Sequence, residues 1–339
     1  MSRYHRQTLL PQIGEAGQEK LRASRVLLVG CGALGTVIAE QLVRAGVGHL
    51  RLCDRDVVEM SNLQRQTLFT EADAEQGVPK AVAAGGRLAA VNSSVAIEPH
   101  VEDVHSGNIE TLAAGIHVIV DGTDNVETRY LVNDVAVKLG LPWVYGACVG
   151  MGGRVMGVVP GVTPCLRCVF PDPPGPGEIE TCDTAGVFAP AAAIVASLQV
   201  ATAVRILLGQ NEALPLTTVD AWTPRFHHVS TAGARRGDCP TCGKREFQFL
   251  EGASAAATSL CGRDTVQVRP ASPNVRLNPD EIERRLATVG DVQRTPFLIR
   301  CALRDGGLKL TVFMDGRALV QGTNDLAAAR SAYARYIGA

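Results

Sequence analysis

Gly30-Cys31-Gly32-Ala33-Leu34-Gly35 follows the apolar run 25–30 and leads into a stretch rich in Ala, Ile, Leu and Val. This is a G-x-G-x-x-G turn between a strand and a helix. Glycines there permit a tight turn and close backbone approach, so that the helix N-terminus can meet phosphates. Asp54 stands about twenty residues further on, at the end of the next apolar run, where a carboxylate can take ribose hydroxyls. Alone, these residues fit a Rossmann dehydrogenase binding NAD, or a glycine turn with no ligand. The residues that follow have no use in hydride transfer. Ser61-Asn62-Leu63-Gln64-Arg65-Gln66 places a polar cluster just past the same strand end. Lys80 follows in Gly77-Val78-Pro79-Lys80, and Asp124 in Asp121-Gly122-Thr123-Asp124-Asn125. In a doubly wound sheet such strand ends meet at one crevice. An amide, two cations and a carboxylate beside a nucleotide can neutralise a triphosphate, hold Mg²⁺ and stabilise charge at a reacting phosphorus. Each residue singly could be a solvated Arg, a surface Lys or an N-capping Asp. As a set at strand ends they point to phosphate chemistry.

The cysteines form a second constellation. Cys165-Leu166-Arg167-Cys168 and Cys239-Pro240-Thr241-Cys242 are two C-x-x-C knuckles. Four thiolates so arranged fit a closed tetrahedral Zn²⁺ site with no position left for substrate. A redox pair is the rival; it needs a thioredoxin-like setting, and two pairs are present. Cys182 lies apart, in the Pro- and Gly-rich stretch 171–186, beside Glu178, Glu180 and Asp183. Such acidic neighbours raise a thiol's pKa. Cys31, Cys53, Cys148, Cys261 and Cys301 sit in apolar or strand contexts and read as packing residues.

Strands 25–30, 49–53, 116–121 and 143–146 alternate with helical patterns. They call for an α/β fold with a doubly wound, mostly parallel, Rossmann-like sheet. After Gly150 the stretch 153–159 reads as an antiparallel extension. A surface loop over 171–186, an Ala-rich helix and a last strand near 217–220 complete this domain by about residue 250. Residues 251–264 read as a linker. Residues 265–339 form a small α+β domain of β-α-β-β-β-α pattern with nothing catalytic in it; Asn278 and Pro279 start its first helix, and Asp315-Gly316 marks a hairpin. The chain carries 33 basic and 34 acidic residues, a formal charge of −1, which gives no general field for nucleic acid or an anionic membrane. Its opening residues are no secretory signal, and the apolar stretch 189–208 holds Ser197, Gln199 and Arg205, so it reads as a buried helix. Scattered cysteines and the absence of a leader make the cytoplasm the expected compartment.

With RYHRQ at 3–7, the glycine turn, DRDVVEMSNLQRQ at 54–66, the GVPK lysine, TDN at 123–125 and both cysteine pairs, the chain resembles the ThiF/MoeB/HesA family of bacterial ubiquitin-activating-like adenylyltransferases over about residues 1–250. The resemblance implies ATP-dependent activation of the C-terminal Gly-Gly carboxylate of a ubiquitin-like sulfur-carrier protein (ThiS/MoaD-like). An acyl-adenylate then takes sulfur from a separate persulfide donor. On this resemblance Gly30, Gly32, Ala33 and Gly35 cradle the nucleotide, Asp54 binds its ribose, and Asn62, Arg65 and Lys80 engage its phosphates. The 61–65 segment and Asn125 line the site, Asp124 holds Mg²⁺, and Arg6 reaches the partner subunit's site in a symmetric homodimer. The family often has Gly where Ala33 stands. It likewise implies structural Zn²⁺ on the four paired cysteines. In relatives a cysteine at the place of Cys182 can link covalently to the activated carrier; nucleophile and bystander both remain open. Three rivals stand beside this reading: an NAD-dependent oxidoreductase, a non-catalytic subunit of a split activating enzyme, and a tRNA-modifying dehydratase-type relative. The pathway stays open among thiamine, molybdenum cofactor and tRNA thiolation.

Overall fold

The computed structural model describes residues 3–174, 178, 180–211, 214–252, 257–260, 264–270, 277–304 and 307–338. The chain divides into two units, Met1–Ala253 and Ser254–Ala339.

In the first unit α1 (His5–Thr8) and α2 (Gly14–Ala23) lead into β1 (Arg25–Val29), α3 (Ala33–Ala45) and β2 (His49–Cys53). The short α4 (Glu71–Gln76) precedes α5 (Lys80–Val91), β3 (Ala96–His100), α6 (Ile109–Ala113) and β4 (Val118–Asp121). Next come α7 (Val126–Leu139), β5 (Trp143–Val149), β6 (Gly152–Val158) and α8 (Leu166–Val169). The unit closes with α9 (Cys182–Ala185), α10 (Ala189–Leu207), β7 (Leu216–Asp220), β8 (Arg225–Val229) and α11 (Gln248–Glu251). The strands form one sheet in the order β3-β2-β1-β4-β5-β6-β7-β8. The strands β1 to β5 pair in parallel, and β5 to β8 antiparallel. This is the mostly parallel sheet with an antiparallel extension that the residue pattern implies.

Val26, Leu27 and Leu28 of β1 are wholly buried, because helices cover both faces of a central parallel strand. On one face α3 and α10 pack Ile38, Leu42, Val195 and Val200 into a common core. On the other, Tyr130, Leu131 and Val135 of α7 meet Trp143 and Ile119. By length and composition α10 could cross a membrane. Its central Gln199, however, is fully buried and donates to the carbonyl of Asp121 at 2.6 Å, with its amide lying over Gly146. It is a core helix of the sheet. Two strands are additional to those read from the sequence, the edge strands β3, with no fully buried residue, and β8, with all five residues exposed; neither has a buried face to impose an alternating pattern.

The second unit is a six-stranded antiparallel sheet in the order β11-β12-β13-β14-β10-β9. Its strands are β9 (Ala257–Leu260), β10 (Thr265–Val268), β11 (Gly290–Arg294), β12 (Leu298–Leu303), β13 (Lys309–Phe313) and β14 (Ala318–Gln321). The helices α12 (Pro279–Ala287) and α13 (Leu326–Tyr336) bury Ile282, Leu286, Ala329 and Tyr333 against it. Asn278 caps α12, and Asp315-Gly316 turns β13 into β14. The pattern differs from β-α-β-β-β-α in two places. Residues 257–260, within the stretch read as linker, pair with β10 as an edge strand. The second difference is β11, mostly exposed at the opposite edge, which lacks alternation. Cys261 lies outside the described residues.

Candidate functional site

The neighbours of β1 in the sheet, β2 and β4, carry the chain in opposite directions, so a crevice opens at the carboxyl ends of these strands. Gly30 ends β1 with φ +90°, and a Cβ there would lie 2.7 Å from the Gly122 carbonyl oxygen. A Cβ on Gly35 would fall on the Gly30 carbonyl, and one on Gly122 would lie 2.5 Å from it. Three glycine backbones therefore touch, and their contact puts the N-terminus of α3, capped by Gly32 and opened by Ala33, against the crevice. Asp54, at the end of β2, is almost wholly buried. Its carboxylate accepts from the backbone N–H of Cys31 at 2.6 Å and of Asp56 at 2.7 Å, which ties the carboxylate to the glycine turn. Burial pushes the Asp54 carboxyl up, and the nearby Lys80 cation works against that shift.

Lys80 opens α5 and is only 4 % exposed. Its Nζ donates to Asp56 Oδ2 at 3.1 Å. Burial works against its charge; Asp56, Asp54 and Asp124 outweigh burial and hold it above its ordinary range. Lys80 is thus a fixed cation beside the glycine turn. Arg55 is held the same way: burial opposes its charge, and Asp103, Asp56, Asp124 and Asp54 overcome it. Asp124 is exposed and acts on Lys80, Arg55 and Arg129, so it faces the same crevice. Asn125 caps α7 by accepting from Thr128 N–H at 3.0 Å.

The 61–66 segment is divided in its placement. Asn62 is 1 % exposed, and its Oδ1 has no hydrogen-bond partner among the described residues; the same is true of Oε1 of the buried Gln66, whose amide lies beside Gly32. Arg65 is half-buried and donates to the Ser61 carbonyl at 2.9 Å. Ser61 and Gln64 are exposed, whereas Leu63 packs into the core beneath, which leaves it only a backbone to offer. Arg6 is not brought to this site within its own chain. Its helix α1 is moored by Gln7 to the Ala45 carbonyl and by Tyr4 to Gly46 and Asn92, at the C-terminal ends of α3 and α5. Those helices are about 20 Å long, with Gly32 and Lys80 at their other ends.

Residues outside the sequence reading complete the geometry. Asp56 is the partner of Lys80, and its signal is the Asp54-Arg55-Asp56 triplet at a strand end. Asp121 is buried and accepts from Thr123 N–H and Oγ1, both at 2.9 Å, and from Arg129 Nε at 3.0 Å. Arg129 also donates to the Thr123 carbonyl at 2.6 Å. Together Asp121 and Arg129 shape the turn that presents Asp124.

The two knuckles meet although they are distant in sequence. Sγ of Cys165 lies 3.9 Å from Cys168 and 3.6 Å from Cys239, and Cys168 lies 3.3 Å from Cys242. All four sulfurs fall within 4.8 Å of one another. A disulfide would bring a pair to about 2 Å, and all four thiols are free. A tetrahedron with metal–sulfur bonds of about 2.3 Å has edges of about 3.8 Å. The donor set and its spacing therefore fit zinc.

The ThiF family profile matches residues 4–241. The chain belongs to the ThiF family. Over 339 residues, 99 % of each chain, it is 46 % identical to the sulfur carrier protein ThiS adenylyltransferase of Bacillus subtilis. It is 42 % identical to the sulfur carrier protein adenylyltransferase of Thermus thermophilus, over 73 % of this chain and 93 % of that one. E. coli MccB, solved with ATP, shares the fold: TM-score 0.62 at 22 % identity, covering 71 % of this chain and 75 % of that chain.

In this ThiF-family chain Cys182 opens α9, which Thr181 caps in a reciprocal pair with Thr184. The Cys182 thiol is half-buried and donates to the Cys148 carbonyl at 3.4 Å. Gly150 bonds Gly186 at 2.8 Å and Phe188 bonds Gly150 at 2.9 Å, so the loop's end is fastened to the end of β5. Because β5 runs parallel to β4, Cys182 lies at the same end of the sheet as Gly30, Asp54 and Asp124. Burial, and then Cys182 itself, push the neighbouring Cys148 thiol up to about 12. Glu178 and Glu180 are exposed, where water screens their influence on the thiol. Residues 175–177 and 179 and the Asp183 side chain lie outside the described residues.

Proposed function

We propose that this chain is an ATP-dependent adenylyltransferase acting on the C-terminal glycine of a ThiS-like, ubiquitin-like sulfur-carrier protein. The observation that carries the reading is the buried Lys80 cation set beside a glycine turn and the Asp54 carboxylate. A nicotinamide oxidoreductase has no use for that cation. The names of the full-length relative in B. subtilis and of the T. thermophilus protein supply the substrate class.

The reaction follows from these charges. ATP lies with its ribose at Asp54 and its phosphates along the Gly30–Gly35 turn, Asn62, Arg65 and Lys80. The carrier's terminal carboxylate attacks the α-phosphorus. A new P–O bond forms, the bond to the β-phosphate oxygen breaks, and pyrophosphate leaves with its electron pair. The product is an acyl-adenylate. The nucleophile is already ionised, so no protein base is needed, and fixed cations stabilise charge developing on the phosphates. Asp124 would hold Mg²⁺, which when bound supplies further neutralisation of the triphosphate. Arg6, remote from its own crevice, would serve the partner site of a homodimer. Cys165, Cys168, Cys239 and Cys242 would hold Zn²⁺, which supplies cross-linking of the unit's middle to its end. Cys182, at the crevice end of the sheet, would take the acyl group or carry sulfur; the sulfur itself would come from a separate persulfide donor.

The test is exchange of labelled pyrophosphate into ATP, in the presence of a small carrier ending in Gly-Gly. Exchange that requires the carrier and is lost in Asp124→Ala supports the reading. Carrier-independent exchange, or nicotinamide reduction followed by absorbance, would reject it.

A further inference from the structure

The four-cysteine centre is gripped from one side by two adjacent residues of α7. Asn133 and Asp134 are both 0 % exposed. Oδ1 of Asn133 accepts from the backbone N–H of Leu166, inside the first knuckle, at 2.8 Å. Oδ1 of Asp134 accepts from the hydroxyl of Thr241, inside the second knuckle, at 2.9 Å. Its Oδ2 accepts from the backbone N–H of Phe249, just beyond that knuckle, at 2.9 Å. Leu166 and Thr241 are themselves buried. Adjacent residues on a helix point in different directions, so one turn of α7 can address two segments that are far apart in sequence.

A buried carboxylate is an expensive way to fill a core, since a well-packed apolar side chain does as well or better for stability alone. Here the acceptors select something more specific than packing. Each knuckle must aim two sulfurs inward, and its orientation depends on the residues between its cysteines. Those between-cysteine residues are the ones that α7 holds, one knuckle by Asn133 and the other by Asp134. We propose that Asn133 and Asp134 are positioning residues of the metal centre: they keep the two knuckles in ligand register and slow the escape of the ion. This rests on the zinc reading of the cysteine cluster.

The experiment uses the full chain purified with its metal. Thr241→Val removes the hydroxyl at nearly constant shape, Thr241→Ser restores it, and Asn133→Leu removes the other acceptor. None of the three depends on Asp134→Ala, which leaves donors of a buried network unpaired and endangers folding. The first readout is the rate at which zinc passes to a coloured chelator well below the unfolding temperature. The second is the unfolding temperature itself. Loss of such supporting bonds typically weakens metal binding about 10–100-fold. Thr241→Val and Asn133→Leu are therefore expected to release zinc about 10–100-fold faster, and Thr241→Ser at the wild-type rate. Release at the wild-type rate in both variants, with only the unfolding temperature lowered, would overturn the proposal and leave a packing role. Fast release that Thr241→Ser fails to correct would overturn it as well. Wild-type protein purified without zinc would reject the metal reading itself, an outcome distinct from these.

Discussion

Replacing Lys80 by Met separates what this residue does for the fold from what it does for the reaction. The change keeps most of the side-chain volume and removes the charge. Asp56, 3.1 Å from the lost cation, and the buried Asp54 then lose the Lys80 counter-charge and keep only that of Arg55, 3.8 Å from Asp56. Breaking a buried ion pair from one side costs about 3–5 kcal/mol. Asp56 keeps 26 % of its side chain in water, which places the cost at the lower end, about 3 kcal/mol. In a unit of this size each kcal/mol moves the unfolding midpoint by about 2–4 °C, so a fall of about 6–12 °C is expected. Pyrophosphate exchange should drop about 10²–10³-fold, the usual cost of deleting one preorganised group that stabilises the transition state. The companion variant Lys80→Met/Asp56→Asn removes the stranded charge. Calorimetry should show most of the lost stability recovered, while exchange stays low. A single variant that melts with the wild type would refute the buried-pair argument. A double variant that regains exchange would refute a role for the Lys80 cation in the reaction.

Gly35→Ala drives a Cβ onto the Gly30 carbonyl, and a displacement of the turn costing about 1–3 kcal/mol should appear as weaker binding of a fluorescent ATP analogue; unchanged affinity would show that the turn lies away from the nucleotide. A mixed dimer of Arg6→Ala and Asp124→Ala chains should regain part of the exchange activity, because one of its two sites keeps both residues; mixtures no better than either parent would return Arg6 to its own chain or to no role. Cys182→Ala should leave exchange nearly unchanged and reduce thiocarboxylate formation, and non-reducing electrophoresis with carrier and ATP should lose a thiol-sensitive adduct. An adduct that persists in this variant would move the nucleophile elsewhere.

The parts legible in the sequence are those in which local spacing carries the chemistry. The glycine turn is short, and two of its three glycines, Gly30 and Gly35, are required by backbone contacts that no other residue allows. The repeated C-x-x-C pairs announce their ligand set, and the four sulfurs meet. Asp54 and Lys80 could be singled out from their strand-end and motif positions. The partner of Lys80 is less legible: the Asp54-Arg55-Asp56 triplet marks Asp56, but only the folding of α5 back onto the end of β2 pairs it with Lys80. Asp121 at the end of β4 with Arg129, and Asn133 with Asp134 in α7, are likewise ordinary polar residues until the fold buries them. Edge strands β3, β8 and β11 escaped for a different reason. Strand periodicity records a buried face, and these three strands have little or none.

The contact of Gly30, Gly35 and Gly122 also bears on suppressor genetics. A side chain added at any one of the three meets main-chain atoms of another, and no second substitution can remove a carbonyl. Lesions at these positions should therefore have no local revertant short of restoring glycine. Gly146 is the contrasting case. A Cβ there strikes the side-chain amide of Gln199, which a mutation can shorten. Selection for restored function from Gly146→Ala should yield replacements at Gln199, such as Gln199→Ser, whereas the same selection from Gly35→Ala should return only true reversions. Gly35, in the first turn of α3, and Gly146, in the middle of β5, would thus differ in how much evolutionary freedom surrounds them, according to whether backbone or side chain lies opposite.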